Sequence, residues 1–310
     1  MRVLVTGGAG FIGSNLCDAL VARGDDVRVL DNFSSGRREN LARLAGKIDL
    51  HEGDLRDRSA CARAVEGVAL ILHEGAVPSV VRSVEDPVTT NDANVMGTMN
   101  ILDAARRAGV ERLVFAASSA AYGETEVLPK VETMTPDPVS PYAVSKLAGE
   151  HYLRVFAKLY GMKTVSLRYF NVFGPRQDPK SDYAAVVPRF ITSILGGRPP
   201  TIYGDGEQSR DFCYIANVVQ ANLLAASADV HGEVVNIACA ERTTLNQLVQ
   251  IINEECGAAL VATHEPPRAG DVRHSLADIG AANRLIGYKP THMLREGLRE
   301  AIQHYRKLSA

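Results

Sequence analysis

Short apolar runs rich in β-branched residues alternate with helix-period segments along the first half of the chain. The predicted strands of this half are residues 3–5, 27–30, 69–72, 113–116 and 164–168. Leu16 and Leu20 share one face of a predicted helix after the first strand. A later predicted helix contains Val95, and another runs from Tyr142 to about Tyr160. Repeated strand–helix units predict an α/β fold with a Rossmann-type, doubly wound parallel sheet.

The pattern changes after residue 172, where Pro, Gly and Asp become frequent and the strand–helix alternation weakens. We therefore expect a smaller, mixed C-terminal domain for substrate, with residues 234–237 returning as a strand to the main sheet. The predicted division gives residues 1–172 plus 209–239 to the domain of the main sheet. Residues 173–208 plus 240–310 form the predicted smaller domain.

The bulk composition is that of an ordinary globular protein, with 46% hydrophobic residues, 23% charged residues and a formal net charge of −2. The chain has no basic surplus and no apolar run near the roughly 20 residues that span a bilayer, so we expect neither a nucleic-acid nor a membrane partner. The five cysteines show no CxxC spacing. This disfavours a disulfide framework or a metal site and predicts a cytoplasmic protein.

The sequence GGAGFIG lies between the first predicted strand and the first predicted helix, with Gly7, Gly10 and Gly13 in GxxGxxG spacing. Glycine permits a tight turn and lets backbone amides approach a pyrophosphate. The helix N-terminus, at Phe11 and Ile12, adds unpaired N–H groups and a partial positive charge. This position at the start of a strand–helix unit predicts a dinucleotide-binding loop.

Asp31 follows the second strand, near the separation expected for an acid that binds the adenosine ribose. Its carboxylate would accept hydrogen bonds from the ribose hydroxyls and repel a 2′-phosphate, which favours NAD over NADP. Arg37 and Arg38 come soon after and leave NADP as an alternative. Asp54 ends another strand, where it can contact adenine. The residues predicted to bind NAD are Gly7, Gly10, Phe11, Ile12, Gly13, Asp31, Asn32, Ser34, Ser35, Gly36, Asp54, Leu55, Asn94, Tyr142, Lys146 and Tyr169.

Tyr142 and Lys146 have YxxxK spacing, which places them on one face of a helix. The lysine ammonium and a positive nicotinamide ring both favour the phenolate, so we predict a lowered pKa that makes Tyr142 an acid/base near neutral pH. Ser118 ends a predicted strand, at the sheet edge where such folds hold ligands. Ser118, Tyr142 and Lys146 are the predicted catalytic residues; the alternative is a solvated Tyr–Lys pair with a coincidental serine.

Several stretches resemble the extended short-chain dehydrogenase/reductase family. They are VTGGAGFIG from Val5, Asp31-Asn32, SSAAYG from Ser118, SPYAVSK from Ser140 and RYFN from Arg168. The resemblance covers essentially the whole chain and is greatest to nucleotide-sugar 4-epimerases, especially the group acting on UDP-N-acetylglucosamine and its galacto epimer. It implies that NAD oxidises C4 of the sugar and reduces it again, while Tyr142 moves the proton of the 4-hydroxyl.

Three C-terminal segments resemble the substrate site of these enzymes: GDGEQSRDF from Gly204, Thr243-Thr244-Leu245, and RAGDVRHS from Arg268. The family implies Arg210 and Arg268 at the diphosphate and Asp271 at the uridine ribose, and Arg suits bidentate binding of phosphate. The small Ser275 implies a sugar pocket open to an N-acetyl group, with the non-acetylated UDP-glucose and UDP-galactose left open as a second pair. The residues predicted to bind the UDP-hexose or UDP-N-acetylhexosamine are Ser79, Ser118, Ser119, Tyr142, Asn171, Val187, Tyr203, Arg210, Arg268, Asp271 and Ser275.

Sister activities are less well supported by the sequence. Nucleotide-sugar 4,6-dehydratases place an Asp-Glu pair near Ser119 and Ala120, decarboxylases usually have a Glu in that turn, and this chain has neither. A net NAD-dependent oxidoreductase remains an alternative because it would use the same Tyr–Lys chemistry. A non-catalytic NAD-binding regulator is a further alternative. The resemblance also implies a homodimer formed by the helices of Val95 and Tyr142.

Overall fold

The computed structural model describes residues 1–179, 185–267 and 273–309. Its strands are β1 (Arg2–Thr6), β2 (Asp26–Asp31), β3 (Ile48–Glu52), β4 (Leu70–His73), β5 (Arg112–Ser118), β6 (Lys163–Tyr169), β7 (Val172–Phe173), β8 (Thr201–Tyr203), β9 (Ser209–Arg210), β10 (Cys213–Tyr214), β11 (Glu233–Ile237), β12 (Thr243–Thr244) and β13 (Thr263–Glu265). Its α-helices are α1 (Phe11–Ala22), α2 (Arg58–Ala64), α3 (Val80–Glu85), α4 (Pro87–Asn91), α5 (Gly97–Ala108), α6 (Pro141–Tyr160), α7 (Val186–Leu195), α8 (Ile215–Ala225), α9 (Leu245–Cys256), α10 (Gly280–Ile286) and α11 (Leu294–Ser309). The other helical segments are the 3-10 turns Arg38–Leu44 and Ser119–Tyr122 and the π-helical turn Asp92–Met96.

The main sheet has the strand order β11-β6-β5-β4-β1-β2-β3, and its neighbouring strands are parallel. The chain moves outward from β1 to β2 and β3 and then returns to the other side of β1 for β4, β5 and β6. The order therefore reverses between β1 and β4, where the loops after the strands diverge and leave a crevice for a ligand. The predicted Rossmann-type, doubly wound sheet is confirmed.

Strand β1 is buried on both faces of this sheet. Val3 and Val5 pack in the same cluster as Leu16 of α1, whereas Leu4 packs on the opposite face in a cluster with Ile101 of α5. All of these side chains are fully buried. Helices on both faces explain why β1 is a continuous apolar run rather than an alternating one.

Smaller sheets follow β6 in the described part of the chain. Strands β7 and β10 are parallel, β8 and β13 are parallel, and β9 and β12 are antiparallel. These pairs give the second half the mixed character that its sequence predicts. Strand β11 joins the main sheet beside β6, with Asn236 opposite Arg168. The predicted return of residues 234–237 is therefore confirmed.

The helix predicted around Val95 differs in one respect from the structure. Val95 lies in the π-helical turn, and regular α-helix begins only at Gly97. The wider turn turns Asn94 inward, where it is 3% exposed. Such turns are frequent at functional sites, because they redirect one side chain without ending the helix.

Among the residues that the structure describes, no helix has both the length and the apolar character needed to cross a membrane. The same residues contain no group of three or more His, Cys, Asp or Glu side chains arranged to hold a metal ion. The cysteines are free thiols; Cys256 is half-buried, and the others are buried.

Candidate active site

The glycine loop connects β1 to α1 at the crevice. Gly7 has a φ of +66°, a conformation that L side chains rarely adopt. A Cβ at Gly13 would lie only 2.2 Å from the Gly7 carbonyl oxygen, so the turn itself requires glycine there. A Cβ at Gly10 would meet that same oxygen at 3.1 Å and no other heavy atom within 4 Å. Gly10 therefore borders open space, which suits close approach of a pyrophosphate to the backbone.

A cavity of about 650 Å³ extends from this loop along the loops after β2, β3 and β4. Most of the residues predicted to bind NAD line it. These lining residues are Gly7, Gly10, Phe11, Ile12, Gly13, Asp31, Asn32, Ser34, Ser35, Gly36, Asp54 and Leu55. The first-turn amides of α1 and the Asp31 carboxylate thus face one cavity, which fits a dinucleotide with its pyrophosphate at the loop and a ribose at Asp31.

Asp31 holds two parts of the cavity wall together. Its Oδ2 accepts a hydrogen bond from the Ala9 N–H at 2.8 Å, and its Oδ1 accepts one from the Phe33 N–H at 2.8 Å. Each carboxylate oxygen keeps a further lone pair for a ribose hydroxyl. Arg37 bonds Asp178, and Arg38 bonds Glu52 at 2.5 Å. Because these two arginines are already paired with carboxylates, the geometry favours NAD over NADP.

Asp54 closes the cavity on the β3 side. Its carboxylate accepts hydrogen bonds from Asn32 Nδ2 at 2.8 Å and from the Arg56 guanidinium at 2.7 Å. The Arg56 contact holds the pKa of Asp54 well below its usual range, so the carboxylate is ionised at neutral pH. The side chain is thus a fixed acceptor at this end of the cavity.

Ser118 and Tyr142 meet at the edge of the sheet, as the sequence predicts. Ser118 is the last residue of β5, and its Oγ caps the following 3-10 turn by accepting the Ala120 N–H at 3.2 Å. Tyr142 lies in the first turn of α6, which begins after the N-cap Ser140. The Ser118 hydroxyl lies close enough to Tyr142 to lower the pKa of the phenol. This contact brings a hydroxyl pair to the carboxyl end of β5, beside the crevice.

Lys146 lies one helical turn beyond Tyr142 and is 4% exposed. Its ammonium donates a hydrogen bond to the Ala116 carbonyl at 2.8 Å and lies 5.0 Å from the centroid of the Phe115 ring. Burial lowers the pKa of Lys146, and the negative charge of Glu74 opposes that shift. The ammonium is therefore oriented by the backbone of β5 rather than by solvent.

The predicted lowering of the Tyr142 pKa by Lys146 was wrong for the protein's own groups. Burial raises the pKa of Tyr142, and the charge of Glu74 raises it further; the hydrogen bond with Ser118 acts in the opposite direction. The cost of burying a phenolate outweighs that hydrogen bond. Any phenolate here depends on positive charge brought by the cofactor.

Asn94 and Tyr169 lie behind the cavity wall rather than on it. Asn94 Oδ1 accepts the Val77 N–H at 2.7 Å, and its Nδ2 donates to Ser145 Oγ at 3.0 Å. The Tyr169 hydroxyl donates to Glu74 Oε1 at 2.9 Å. The structure thus connects both residues to the cavity through neighbours, Val77 and Glu74, that line it.

Glu74 is a cavity residue that the motifs did not identify. It follows β4 directly, at the point where the strand order reverses, and this position is the signal that could have identified it. Arg37, Gln177 and Asp178 also line the cavity. Gln177 and Asp178 belong to the loop after β7, which the predicted division assigns to the smaller C-terminal domain.

Asn171 and Ser275 meet although they lie 104 positions apart. Asn171 has a positive φ of 31°, and its Nδ2 donates to Ser275 Oγ at 3.1 Å and to the Asp211 carbonyl at 3.0 Å. Ser79 caps α3 by accepting the Arg82 N–H at 3.1 Å. The structure therefore joins the end of β6 to the C-terminal segment.

Asp211 stabilises the contact between the end of β6 and the C-terminal segment. Its carboxylate is fully buried and accepts the N–H groups of Cys239 at 2.9 Å and Ala277 at 3.2 Å. Burial raises the pKa of Asp211 to about 6, although these amides favour the ionised form. Asp211 thus holds the loop after β11 and the segment of Ser275 to the end of β9.

The remaining predicted substrate residues are more dispersed. Arg210 donates to the carbonyls of Ser209 at 3.0 Å and Arg273 at 3.2 Å. Tyr203 lies in β8, where its ring centroid is 5.6 Å from the Arg189 guanidinium. The Val187 side chain is 2% exposed and packs in the core, so only its backbone N–H, in the first turn of α7, can meet a ligand. Ser119 begins the 3-10 turn; Arg268 and Asp271 lie outside the described residues.

Comparison with solved structures shows similarity over the full chain. The crystal structure of UDP-glucose 4-epimerase from Thermotoga maritima with UDP-glucose is 40% identical, covers 100% of both chains and has a TM-score of 0.96. UDP-N-acetylglucosamine 4-epimerase from Methanobrevibacter ruminantium, in complex with UDP-N-acetylmuramic acid, is 39% identical over 99% of this chain and 98% of that chain, with a TM-score of 0.95. UDP-glucose 4-epimerase from Thermus thermophilus, in complex with NAD, is 41% identical over 99% of each chain, with a TM-score of 0.91.

The sequence itself matches a family model over most of its length. Residues 3–238 match the NAD dependent epimerase/dehydratase family, and the matched range contains the glycine loop, Ser118 and the Tyr142–Lys146 pair. The chain therefore belongs to the NAD-dependent epimerase/dehydratase family, and NAD is its cofactor.

Proposed function

We propose that the chain is a UDP-sugar 4-epimerase that interconverts UDP-N-acetylglucosamine and UDP-N-acetylgalactosamine through a transient 4-keto sugar. The observation behind this proposal is that Tyr142 interacts both with Ser118 and with Glu74, which lines the NAD cavity. A single acid/base beside a nicotinamide suffices to oxidise and re-reduce one carbinol carbon. The similarity to 4-epimerases supports the same chemistry.

In the proposed cycle Tyr142 removes the proton of the sugar 4-hydroxyl and later returns it to the 4-keto oxygen. Ser118 bonds the same oxygen and holds it in line with the phenol. Lys146, fixed by the Ala116 carbonyl, is proposed to hold the nicotinamide ribose. Bound NAD would supply the hydride acceptor and donor for C4.

The UDP group is the proposed tether about which the 4-keto sugar turns to present its other face. Arg210, with Arg268 and Asp271, is proposed to hold the diphosphate and uridine ribose. Tyr203 and the backbone of Val187 are proposed to complete the nucleotide site. The 4-keto sugar can turn only if UDP is held firmly and the sugar pocket is wide. The proposal therefore assigns the binding of UDP and the accommodation of the sugar to different residues.

Ser275 is the proposed determinant of substrate width. Its hydroxyl accepts from Asn171 beside the proposed sugar pocket, and serine adds little bulk there. A small side chain at this point leaves space for an acetamido group at C2, and Ser119 is proposed to add a hydroxyl contact. We expect the acetylated pair to be turned over, with the non-acetylated pair as additional substrates.

The proposed domain division follows the same separation. Residues 1–172 plus 209–239 bind NAD in this proposal, and residues 173–208 plus 240–310 bind the UDP-sugar. A homodimer is also proposed, because exposed apolar side chains form a stripe on α6: Val144 is 51% exposed, Val155 44% and Leu159 64%. Sedimentation equilibrium should give twice the mass of the chain; a monomer at micromolar concentration contradicts the dimer.

Dehydration and decarboxylation lack a group to perform them in this proposal. The 3-10 turn that follows Ser118 is Ser-Ala-Ala-Tyr and carries no carboxylate. Net oxidation is separated from epimerisation by experiment. NMR of UDP-GlcNAc, UDP-GalNAc, UDP-glucose and UDP-galactose, each incubated with the purified NAD-bound enzyme, should show conversion at C4 alone. Accumulation of NADH, or loss of water or carbon dioxide from the sugar nucleotide, contradicts the proposal.

A further inference from the structure

Two arginines line the NAD cavity in the described part of the chain, and a carboxylate pairs with each of them. Arg176 pairs with Asp18 of α1, and Arg37 pairs with Asp178. Arg37 lies in the loop after β2, whereas Asp178 lies 141 positions later, in the loop after β7. The Arg37–Asp178 pair therefore joins two loops that reach the cavity from distant parts of the sequence.

The backbone of Arg37 is fixed beside the carboxylate that faces the adenosine ribose. The Arg37 N–H donates to the Ala9 carbonyl at 3.0 Å, and the Ala9 N–H donates to Asp31 Oδ2 at 2.8 Å. A Cβ at the preceding residue, Gly36, would lie 3.0 Å from the same Asp31 oxygen. Arginine is long and binds phosphate bidentately, so an unpaired side chain at this position would suit a phosphate on the ribose 2′-oxygen.

The loop that carries Asp178 is held by the C-terminal helix. The Tyr305 hydroxyl of α11 donates to the Gln177 carbonyl at 2.6 Å. The Arg176 N–H donates to His304 Nε2 of the same helix at 3.2 Å. Arg176 has a φ of +72°, a conformation that residues other than glycine seldom adopt. Contacts with α11 therefore fix this loop, and they present Asp178 to Arg37 from outside the loop after β2.

The neighbouring Arg38 provides a comparison within the same loop. It pairs with Glu52 at 2.5 Å, and its guanidinium lies 3.9 Å from the centroid of the Phe33 ring. The side chains of Arg37 and Arg38 are each 57% exposed. Arg38, however, is not among the described residues that line the cavity. The two arginines thus agree in charge, exposure and pairing, and they differ in whether they border the cofactor site.

We propose that Asp178 is a determinant of cofactor choice, which binds the Arg37 guanidinium and so withholds it from the 2′-phosphate of NADP. Asp31 excludes that phosphate by repulsion at the ribose itself, whereas Asp178 acts by occupying the nearby cation. The selection of NAD therefore depends on a residue outside the strand–helix unit that carries the glycine loop and Asp31. This inference concerns the cofactor and does not depend on which UDP-sugar the enzyme converts.

Asp178→Asn tests the proposal because asparagine keeps the size of the side chain and removes its charge. The NAD-bound enzyme is incubated to equilibrium with graded excesses of NADP, and the retained nucleotides are released and quantified by chromatography. An exposed ion pair is worth a factor of about five at most. We therefore expect the affinity for NADP relative to NAD to rise about fivefold. An unchanged ratio, including no uptake of NADP by either protein, overturns the proposal.

Matched variants separate the action of Asp178 on Arg37 from a general change of surface charge. Adding Arg37→Gln to Asp178→Asn should return the ratio to nearly that of wild type. Glu52→Gln releases Arg38 in the same way and should leave the ratio unchanged. A gain that persists without Arg37, or an equal gain in Glu52→Gln, contradicts the proposal.

A further variant covers the case in which Asp178→Asn does not fold. Arg37→Gln alone should change the ratio less than twofold, because Asp178 already occupies this guanidinium in the wild-type protein. A large loss of NADP affinity in Arg37→Gln would show that Arg37 binds the phosphate despite Asp178, and it overturns the proposal. Conversion of UDP-sugars is measured separately. Its absence contradicts the proposed function and does not bear on the cofactor ratio.

Discussion

Replacing Gly13 by alanine should damage the fold of the nucleotide loop. The added methyl group would lie 2.2 Å from the Gly7 carbonyl oxygen and 2.8 Å from Gly8 Cα. Carbon contacts are favourable at about 3.5–4.0 Å, so the overlap exceeds an ångström and involves backbone atoms that cannot rotate away. We expect the free energy of unfolding to fall by about 3 kcal/mol, the upper part of the range for overpacked sites.

Gly10→Ala is the matched control in the same loop. Its methyl group would meet only the Gly7 oxygen at 3.1 Å, and Gly10 has an extended backbone with φ −75° that alanine adopts readily. The loss of unfolded-state entropy offsets the tight contact, so stability should change by less than about 1 kcal/mol. The methyl group projects toward the space proposed for the pyrophosphate. Losing two charge-assisted amide contacts there should weaken NAD binding about a hundredfold.

Urea unfolding of NAD-free protein measures the first effect, and calorimetric titration with NAD measures the second. The prediction is a crossed result: Gly13→Ala loses stability, whereas Gly10→Ala keeps stability and loses affinity. Wild-type stability in Gly13→Ala would refute the steric argument. Wild-type NAD affinity in Gly10→Ala would refute the placement of the pyrophosphate over Gly10.

Further predictions address the chemistry, the pocket and the buried carboxylate. Tyr142→Phe should retain NAD but lower kcat by about a hundredfold or more; near-normal epimerisation contradicts the acid/base role. Ser275→Tyr should suppress conversion of UDP-GlcNAc and spare UDP-galactose, and equal loss on both contradicts the role in substrate width. Asp211 has a folded pKa of about 6, above its ordinary 3.8, so the unfolded chain loses this proton first as pH rises. Its contribution to stability should therefore fall by about 3 kcal/mol from about pH 4 to pH 7, measured as the difference in urea unfolding between wild type and Asp211→Asn. A difference that does not vary with pH contradicts the burial argument.

The parts of the site that sequence predicted are those determined by local geometry. The glycine spacing, the position of Asp31 after β2 and the one-turn separation of Tyr142 and Lys146 each depend on a single strand–turn–helix unit or a single helix. Ser118 could be predicted because a doubly wound sheet places ligands at the carboxyl ends of its strands. The return of β11 to the sheet was visible because its apolar run is bounded by turn residues.

Features that depend on packing between distant segments could not be predicted from the sequence. Glu74 has no motif of its own, and its orientation comes from Tyr169 on β6 and Asn222 on α8. The inward position of Asn94 depends on a π-helical turn, which has no clear sequence pattern. The direction of the Tyr142 pKa shift was missed for the same reason, because the cost of burial cannot be read from the spacing between Tyr142 and Lys146.

Opposing effects on the pKa of Tyr142 explain why this side chain suits a reversible proton transfer. Burial and Glu74 favour the neutral phenol, whereas the Ser118 hydroxyl and an oxidised, positively charged nicotinamide favour the phenolate. Bound NAD would supply this positive charge only before the sugar is oxidised, so burial and Glu74 would then return Tyr142 to the phenol, which holds the proton until the keto group is reduced. If burial and Glu74 did not raise the pKa of Tyr142, the phenolate would persist with both the oxidised and the reduced cofactor, and the proton would be held less firmly. We therefore expect the surroundings of Tyr142 to couple its proton to the oxidation state of the bound cofactor.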